Sequence, residues 1–576
     1  MTKRSRNVAL GAVAVLTLTL LLDLSGLAAL PFYSHGEPRE GVVVQEMWRG
    51  NGLILPLING EIIPWKPPMF HWLGLAVSRA IGEVSAWSVR LPSAALGIGL
   101  TLAVFFFGAA VGRIRSGWLA ALILATNFEW IRAARTARVD MTLTVFVAGA
   151  LLLFAWLRHR QRTRQVPPSP PARLGFWLLL AAGTLTKGPV AIVLPLLVIG
   201  IWALSAPLPS TSEAHSSLRL RLAHAGRVLE DLHPRRGLAM MLTIVAAWYL
   251  AAWSIGGTDF LVRHALMENV LRVLDAERLG SGHVHGPFYM VAHLFLGFLP
   301  WSFLAPSIAF WLWRARPLDE TTRLLVVWVA VLFVFFLVPE SKRGVYYLPA
   351  YPALALLAGL TLGPGPEGET PRRLVAWQFS GIATVATIAA FLVLSAFLAP
   401  LEGLFASFLK PRDAAGVSAA LDGIRAGGIP TFIAALAITG LAALVAWQAR
   451  GAHWLRASFP LAALLVLLIV GIILPAERGI AESRSLRDFT REALARTGDR
   501  TLGIEEDSFD WGALFYADRH LPNWRPDTPE PDMLILRRER LGLVAPGCAE
   551  ILASKGPGVR GRYPYVLTSC SNEENP

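Results

Sequence analysis

The chain has 576 residues, of which 54% are hydrophobic and only 16% are charged, and this balance excludes an ordinary soluble protein. Its 53 Lys and Arg against 40 acidic residues would suit a nucleic-acid partner, but the basic clusters lie between apolar runs on alternate sides, which is the positive-inside pattern of a membrane protein. There is no glycine-rich phosphate loop and no C-x-x-C motif, so the sequence predicts no required cofactor and leaves a divalent metal open.

The first apolar run, about 8–30, follows a basic start and lacks an A-x-A cleavage site. It is therefore predicted to be a retained span with its N-terminus in the cytoplasm. Further apolar runs predict twelve more spans and so an external C-terminus. The sequence places them at about 92–112, 117–130, 141–157, 174–185, 188–205, 238–256, 289–313, 324–339, 345–362, 375–398, 430–448 and 458–474.

The first external stretch, Tyr33–Trp72, is too polar to cross a bilayer. Pro38 suits the first turn of a helix, and Glu37 lies near the electropositive helix end. The Gly-Asn-Gly run that follows Arg49 stops this helix. The pattern predicts a short amphipathic helix on the membrane surface, after which Lys66 lies directly before two prolines.

A carboxylate and an ammonium on one external loop indicate chemistry on an amphipathic substrate. A surface helix with snorkelling charges accounts for the same pattern. Residues 73–91 predict further interfacial helix, which ends at Arg90.

The second external loop, WIRAARTARVDMT, is basic against the positive-inside trend. External arginines beside a membrane bind anionic lipid phosphates, which makes Arg138 a candidate phosphate ligand. An ion pair between Arg138 and Asp140 that caps the next span is the alternative interpretation.

Three later segments add external charges. Lys187 lies at the tip of a predicted hairpin, Arg272 lies in a long loop at about 257–288, and Lys342 lies in a positive junction between two spans. Ionisable groups at such positions are functional candidates.

The tail, residues 475–576, is polar and carries strand-like runs at 502–504, 533–536 and 563–567. It is predicted to be a small α/β domain that follows a membrane domain at 1–474, whose main external loops are 31–91 and 257–288. The only two cysteines, Cys548 and Cys570, both lie in the tail. An external location favours a disulfide between them over two free thiols.

Several motifs resemble one known family. GEPREGVVVQEM followed by N-G-x(4)-W-K-P-P resembles the first periplasmic loop of polyprenyl-phosphate-sugar-dependent glycosyltransferases, the protein O-mannosyltransferase-like group that includes the aminoarabinose transferases acting on lipid A. ARVDMTLT, LTKGPVAIVLP, ENVLRV with HGPFYM, and SKRGVYYLPAYPALALLAG resemble later family segments in the same order. The tail carries no recognised motif.

This resemblance implies roles for the external residues. Glu37 and Asp140 correspond to catalytic carboxylates, and the donor phosphate would be bound by Lys66, Arg272 and Tyr346. Lys342 and Arg138 are added as further phosphate ligands because of their external positive charge. Cations stabilise a departing phosphate, and a carboxylate deprotonates a hydroxyl acceptor.

Two departures from the family pattern matter. The family often has Asp-Glu where this chain has Gly36-Glu37, so the base assignment falls on Glu37 alone. Trp65 replaces the glutamate that precedes the lysine in the aminoarabinose transferase, which weakens the case for a metal ligand there and for that particular reaction.

The sequence therefore predicts an all-α polytopic membrane protein of GT-C type, with about 13 transmembrane helices, external amphipathic juxtamembrane helices and a small C-terminal α/β periplasmic domain. Its expected function is glycosyl transfer, with inversion of the sugar carbon, from a polyprenyl-phosphate sugar to a lipid or protein acceptor at the periplasmic side of a bacterial inner membrane. A transporter or flippase of lipid-linked glycans is the rival, and it is disfavoured because no internal repeat is visible and the charges cluster at one surface. A degenerate family member whose tail binds envelope partners is the third candidate.

Overall fold

We describe a computed structural model of the chain. It describes residues 2–34, 36–60, 66–207, 214–262, 264, 285–363, 372–400, 403, 409, 411–451, 454–529, 531–556, 558 and 564–569.

The described chain is mainly helical. The helices are α1 Lys3–Leu24, α2 Glu37–Trp48, α3 Met69–Ile81, α4 Ala86–Val111, α5 Ile114–Ala125, α6 Phe128–Ala134, α7 Val139–Arg164, α8 Pro170–Lys187, α9 Val190–Leu204, α10 Ala214–Glu230, α11 Pro234–Phe260, α12 Pro287–Gly297, α13 Ala305–Arg314, α14 Glu320–Leu337, α15 Tyr351–Leu362, α16 Arg372–Leu398, α17 Pro411–Ala426, α18 Gly428–Arg450, α19 Trp454–Leu468, α20 Leu474–Arg484, α21 Arg487–Thr497, α22 Trp511–Ala517 and α23 Leu541–Val544.

The chain is a multi-pass membrane protein, but fewer helices satisfy the length requirement than the thirteen predicted. In the described ranges, nine helices are long and apolar enough to cross a membrane, or ten if the pair α12 and α13, bent by 100°, forms one span. The other three predicted crossings coincide with α5, α8 and α9, which have 12, 18 and 15 residues. A helix rises 1.5 Å per residue, so α5 and α9 are shorter than a hydrocarbon core about 30 Å thick.

The helical bundle packs tightly where small residues let backbones approach. A Cβ added at Gly117 of α5 would lie 2.4 Å from the carbonyl oxygen of Phe105 in α4. A Cβ at Gly359 of α15 would lie 2.5 Å from the carbonyl oxygen of Ser116. Small residues at helix contacts are the usual means of close packing within a membrane.

The first external loop folds as two short helices. The predicted helix that starts at Glu37 is confirmed as α2, but the prediction of interfacial helix over 73–91 is wrong. α3 ends at Ile81, and α4 begins at Ala86 as a new, long apolar helix that contains Arg90. The start of α4 is fixed by a capping box between Ser85 and Ser88, in which each side chain bonds the backbone N–H of the other.

The tail forms the predicted α/β unit around one five-stranded sheet in the order β2-β1-β3-β5-β4. β2 and β3 run parallel to β1, whereas β5 is antiparallel to both β3 and β4. The strands are β1 Leu502–Glu505, β2 Asn523–Trp524, β3 Met533–Arg537, β4 Ala549–Ala553 and β5 Tyr565–Ser569.

The hydrophobic core of the tail is shared with the first external loop. Phe32, Val43 and Phe70 of that loop are buried in one cluster with Phe515 and Ile535 of the tail. The two predicted regions thus pack as one body at this end of the bundle. Cys548 is disulfide-bonded, and its predicted partner Cys570 lies outside the described residues.

The side of the membrane on which this end lies is a testable prediction. Because the basic start of the chain favours a cytoplasmic N-terminus, we expect alkaline phosphatase fused after residue 486 to be active and a cytoplasm-dependent reporter there to be silent. The same pair of reporters fused after residue 165, in the basic loop between α7 and α8, serves as the matched control with the opposite outcome. Activity of the cytoplasmic reporter at residue 486 would contradict the proposed topology.

Candidate active site

Two helix ends bring a carboxylate and an ammonium together. Asp140 lies in the first turn of α7, and Lys187 is the last residue of α8, so each charge complements the dipole of its own helix. Lys187 Nζ donates to Asp140 Oδ1 at 2.6 Å, and it lies 4.8 Å from the centre of the Tyr346 ring. Gly188, at φ 83°, ends α8 and turns the chain back into α9. The structure therefore assembles two predicted site residues, Asp140 and Tyr346, around Lys187.

Arg138 joins this cluster to the first loop. Its Nε lies 3.7 Å from Asp140 Oδ2, so the alternative ion pair is present but long. Its guanidinium carbon lies 3.3 Å from the position that a Cβ on Gly36 would occupy. Gly36, where the family often has an aspartate, thus lies beside the Arg138 guanidinium.

Glu37 occupies a closed position. Its side chain has no solvent exposure, and Arg90 donates to both carboxylate oxygens, at 2.7 and 3.1 Å. Oε1 also accepts the backbone N–H of Ala137 at 3.0 Å, and Oε2 accepts the Ser34 hydroxyl at 3.0 Å. Burial by itself would raise the pKa of Glu37, but the Arg90 charge and these hydrogen bonds outweigh burial and hold the pKa below its ordinary value.

This geometry argues against the predicted role of Glu37 as the general base. A base must reach the proton that it removes, and it must have a free lone pair to receive that proton. Both oxygens of Glu37 instead accept two hydrogen bonds each, inside the protein. We therefore propose a positioning role for Glu37, in which it fixes the loop that carries Arg138; the general-base role stays a prediction that the variants below test.

The partner of Glu37 was missed by the sequence analysis, which placed Arg90 at an interfacial helix end. Arg90 is 1% exposed and also donates to the carbonyl oxygens of Leu30 and Pro31, at 2.6 and 3.1 Å. The signal that would have helped is the Ser85-x-x-Ser88 sequence, because a capping box there puts Arg90 in the first turns of a spanning helix.

Two of the remaining predicted ligands are described, and they lie in different settings. Lys66 is partly buried directly before α3, which packs against α8, the helix that ends at Lys187. Lys342 is buried and donates to the carbonyl oxygen of Pro339 at 2.5 Å. Arg272 lies outside the described residues.

Two other arginines of the second external loop have structural partners. Arg135 donates to the carbonyl oxygens of Leu22 and Ser25, at 2.9 Å each, and so caps the end of α1. Arg132 pairs with Glu129 one turn earlier in α6. Of these three arginines, Arg138 is the one that approaches the Asp140 carboxylate within ion-pair distance, whereas Arg132 acts on Asp140 only through its charge.

No group of three His, Cys, Asp or Glu side chains converges in the part of the chain that the structure describes. The cluster is instead rich in cations around one carboxylate, Asp140. Such an arrangement can bind and stabilise a phosphate leaving group.

Comparison with known proteins supports the resemblance seen in the motifs. The sequence model of the family "Dolichyl-phosphate-mannose-protein mannosyltransferase" matches residues 52–255. An undecaprenyl phosphate-alpha-4-amino-4-deoxy-L-arabinose arabinosyl transferase from Shewanella sediminis is 24% identical over 355 residues, which cover 60% of this chain and 58% of that protein. A protein of the same name from Sodalis glossinidius is 26% identical over 505 residues, which cover 85% and 79%.

An uncharacterized protein from Aquifex aeolicus is 27% identical over 350 residues, 58% of this chain and 62% of that protein. The match therefore spans about three fifths of the length of this relative and of the Shewanella protein. The crystal structure of ArnT from Cupriavidus metallidurans bound to undecaprenyl phosphate superposes with a TM-score of 0.74 at 18% identity, over 98% of both chains. The predicted family resemblance and the GT-C fold are confirmed.

The positioning role of Glu37 predicts a stability defect. Glu37→Gln leaves the buried Arg90 charge unpaired, so we expect a loss of about 3–5 kcal/mol in unfolding free energy, measured by denaturant or thermal unfolding in detergent. The double variant Glu37→Gln/Arg90→Met removes both charges and should recover much of that loss. Equal stability of the parent and Glu37→Gln, together with lost turnover, would restore the general-base assignment.

The same pair predicts a pH dependence. The folded pKa of Glu37 lies below its ordinary value, so its contribution to stability is complete above the ordinary pKa of about 4.3 and is lost as pH falls toward the depressed value. We expect the melting temperature of the parent to fall in this acid range more steeply than that of the double variant. Parallel pH profiles would contradict the assignment.

Proposed function

We propose that this chain is a membrane glycosyltransferase that moves a sugar from a polyprenyl phosphate to an acceptor on the periplasmic side of the inner membrane. The observation that carries the proposal is the cluster of Asp140, Lys187, Arg138 and Tyr346 at one end of the bundle. Support comes from the fold, which is shared over nearly the whole chain with a protein solved with undecaprenyl phosphate.

The cluster suits the breaking of a sugar–phosphate bond. An acceptor oxygen attacks the anomeric carbon, the bond from that carbon to the phosphate oxygen breaks, and its electron pair leaves with polyprenyl phosphate. Attack opposite the leaving phosphate inverts the carbon. Lys66, Arg138 and Arg272 are assigned to the phosphate, because charge-assisted hydrogen bonds stabilise the negative charge that develops there.

Asp140 is the carboxylate that we assign to the reacting centre. One of its oxygens is engaged by Lys187 at 2.6 Å, whereas the other is only loosely approached by Arg138 at 3.7 Å. Asp140 therefore keeps a carboxylate oxygen that can orient an acceptor or receive its proton. It also holds Lys187 in position, so its loss is expected to affect both binding and turnover.

The balance of charges favours an acceptor that is already anionic. Glu37 is enclosed by Arg90, and Glu40 is paired with His71 and Arg39. Asp140 faces the charges of Lys187, Arg138 and Arg343. A phosphate oxygen on an envelope lipid such as lipid A needs no base, whereas a protein or sugar hydroxyl does. We therefore place a lipid phosphate first among the acceptors and a hydroxyl second.

The rival function is transport of a lipid-linked glycan without bond cleavage. The two are separated by mass spectrometry of envelope lipids and glycans from cells with and without the gene, and by incubation of the reconstituted protein with polyprenyl-phosphate sugars. A transferase releases polyprenyl phosphate and yields a glycosylated acceptor. If no lipid or glycan changes its covalent structure and the donor only moves from one leaflet of the membrane to the other, the protein is a transporter instead.

Arg138 offers a test with a matched control in the same loop. Arg138→Ala should reduce transfer about 10- to 150-fold, because one charge-assisted contact contributes roughly 1.5–3 kcal/mol. Arg132→Ala removes an equal charge six residues away, whose ion-pair partner is Glu129 and which acts on Asp140 only through its charge. Its effect on transfer should therefore be smaller, within about threefold of the parent. Equal losses in the two variants would point to a general charge effect and against a phosphate ligand at Arg138.

A further inference from the structure

We infer that the C-terminal α/β domain is a positioning part of the reaction site, because it holds both flanks of the first external loop. This inference rests on the proposed function. The tail carries no motif of its own, yet one short segment of it, 515–521, contacts the chain before α2, α2 itself and the chain after α2.

The entry to α2 is held by two rings of the tail helix α22. The Phe32 backbone N–H donates to the Tyr516 hydroxyl at 2.6 Å, and the rings of Phe32 and Phe515 pack edge to face with centroids 4.8 Å apart. The Arg90 guanidinium lies 5.0 Å from the centre of the Phe32 ring. The tail therefore contacts Phe32, and Phe32 in turn packs against Arg90, the buried partner of Glu37.

α2 is pressed against α22 at a glycine. A Cβ on Gly41 would lie 2.8 Å from ring carbons of both Phe32 and Phe515, and both rings are buried. Further along α2, Gln45 Nε2 donates to the carbonyl oxygen of Phe515 at 3.0 Å, and Arg49 pairs with Asp518 at 2.8 Å. The distance between the two helices is thus set by the absence of a side chain at position 41.

The exit from α2 is held by a reciprocal amide pair. Asn59 Nδ2 donates to the carbonyl oxygen of Leu521 at 3.1 Å, and the Leu521 N–H donates to Asn59 Oδ1 at 3.3 Å. Asn59 precedes Lys66, the predicted phosphate ligand, by seven residues. One rigid segment of the tail thus anchors the Glu37 side and the Lys66 side of the same loop.

These contacts explain why a domain without a recognised motif belongs to the catalytic unit. Sugar transfer requires the donor phosphate and the acceptor to be aligned, and a displacement of about 1 Å costs on the order of 100-fold in rate. The tail fixes the two ends of the loop relative to each other, so it sets that alignment without contacting the substrate. Its residues Phe515, Tyr516 and Leu521 are positioning residues.

The test uses the full-length protein in detergent or nanodiscs and compares Gly41→Ala with Gly99→Ala. Both substitutions lie in helices, but a Cβ at Gly99 of α4 meets nothing within 4 Å. We expect Gly41→Ala to lower turnover about 100-fold. Because the new methyl group meets two buried rings, the melting temperature should also fall, but the loss of turnover should exceed the loss of folded protein at the assay temperature. Gly99→Ala should match the parent in both measurements.

Two further variants test separately the contacts that the tail makes before α2 and after α2. Asn59→Ala should weaken binding of undecaprenyl phosphate about tenfold, because the segment before Lys66 is released, whereas Tyr516→Phe should lower turnover about 2- to 10-fold with that binding unchanged. This division between affinity and turnover is not expected from a domain that only stabilises the fold.

The outcomes distinguish this inference from the proposed function. If the parent neither binds undecaprenyl phosphate nor transfers sugar, the proposed function fails. If the parent does both, and Gly41→Ala, Asn59→Ala and Tyr516→Phe retain its affinity and turnover, the positioning role of the tail is overturned. Losses that follow the folded fraction alone, measured by thermal unfolding, would overturn it equally.

Discussion

The buried ion pair between Glu37 and Arg90 is the interaction on which the site depends. Removing two charges from water is costly unless each finds a partner and further hydrogen bonds, and here both conditions are met. Arg90 of α4 bonds both oxygens of Glu37 and the carbonyl groups of Leu30 and Pro31, while Glu37 also accepts the N–H of Ala137. The pair thereby joins α4 to the start of α2 and to the segment between α1 and α2. Through Ala137 it also holds the turn that leads into Arg138.

This arrangement divides the external charges into two sets. One set holds the loops in place and consists of buried ion pairs such as Glu37 with Arg90 and Glu40 with His71. The other set surrounds Asp140, where the described cations outnumber the carboxylates. Under the proposed function, the second set is the one that binds the lipid phosphate, because the charges of the first set are already paired within the protein.

The sequence predicted the helical fold well, because long apolar runs have few alternatives in a membrane. Every predicted span lies on helical sequence, although 117–130 and 289–313 each extend over two helices, and the strand-like runs of the tail appear as β1, β3 and β5. The prediction was wrong at the start of α4, where a charged residue, Arg90, lies inside a long apolar helix. Arg90 was assigned to an interface because an isolated arginine inside a span is costly, and only its distant partner Glu37 makes that position stable. α5 and α9, which were predicted to span the membrane, have only 12 and 15 residues, because turns and helix packing end them early.

The sequence by itself determined the membrane class, the order of the motifs and the residue types of the site, because hydropathy and motif spacing are local properties of the chain. Only the tertiary structure decided which charges meet. The partners of Glu37 and Asp140 lie 53 and 47 residues away, and the tyrosine that binds Phe32 lies 484 residues away. A carboxylate that is closed by a buried arginine and one that stays available look alike in a sequence. Burial and the geometry of the neighbouring donors separate the two, and both arise only when distant segments pack together.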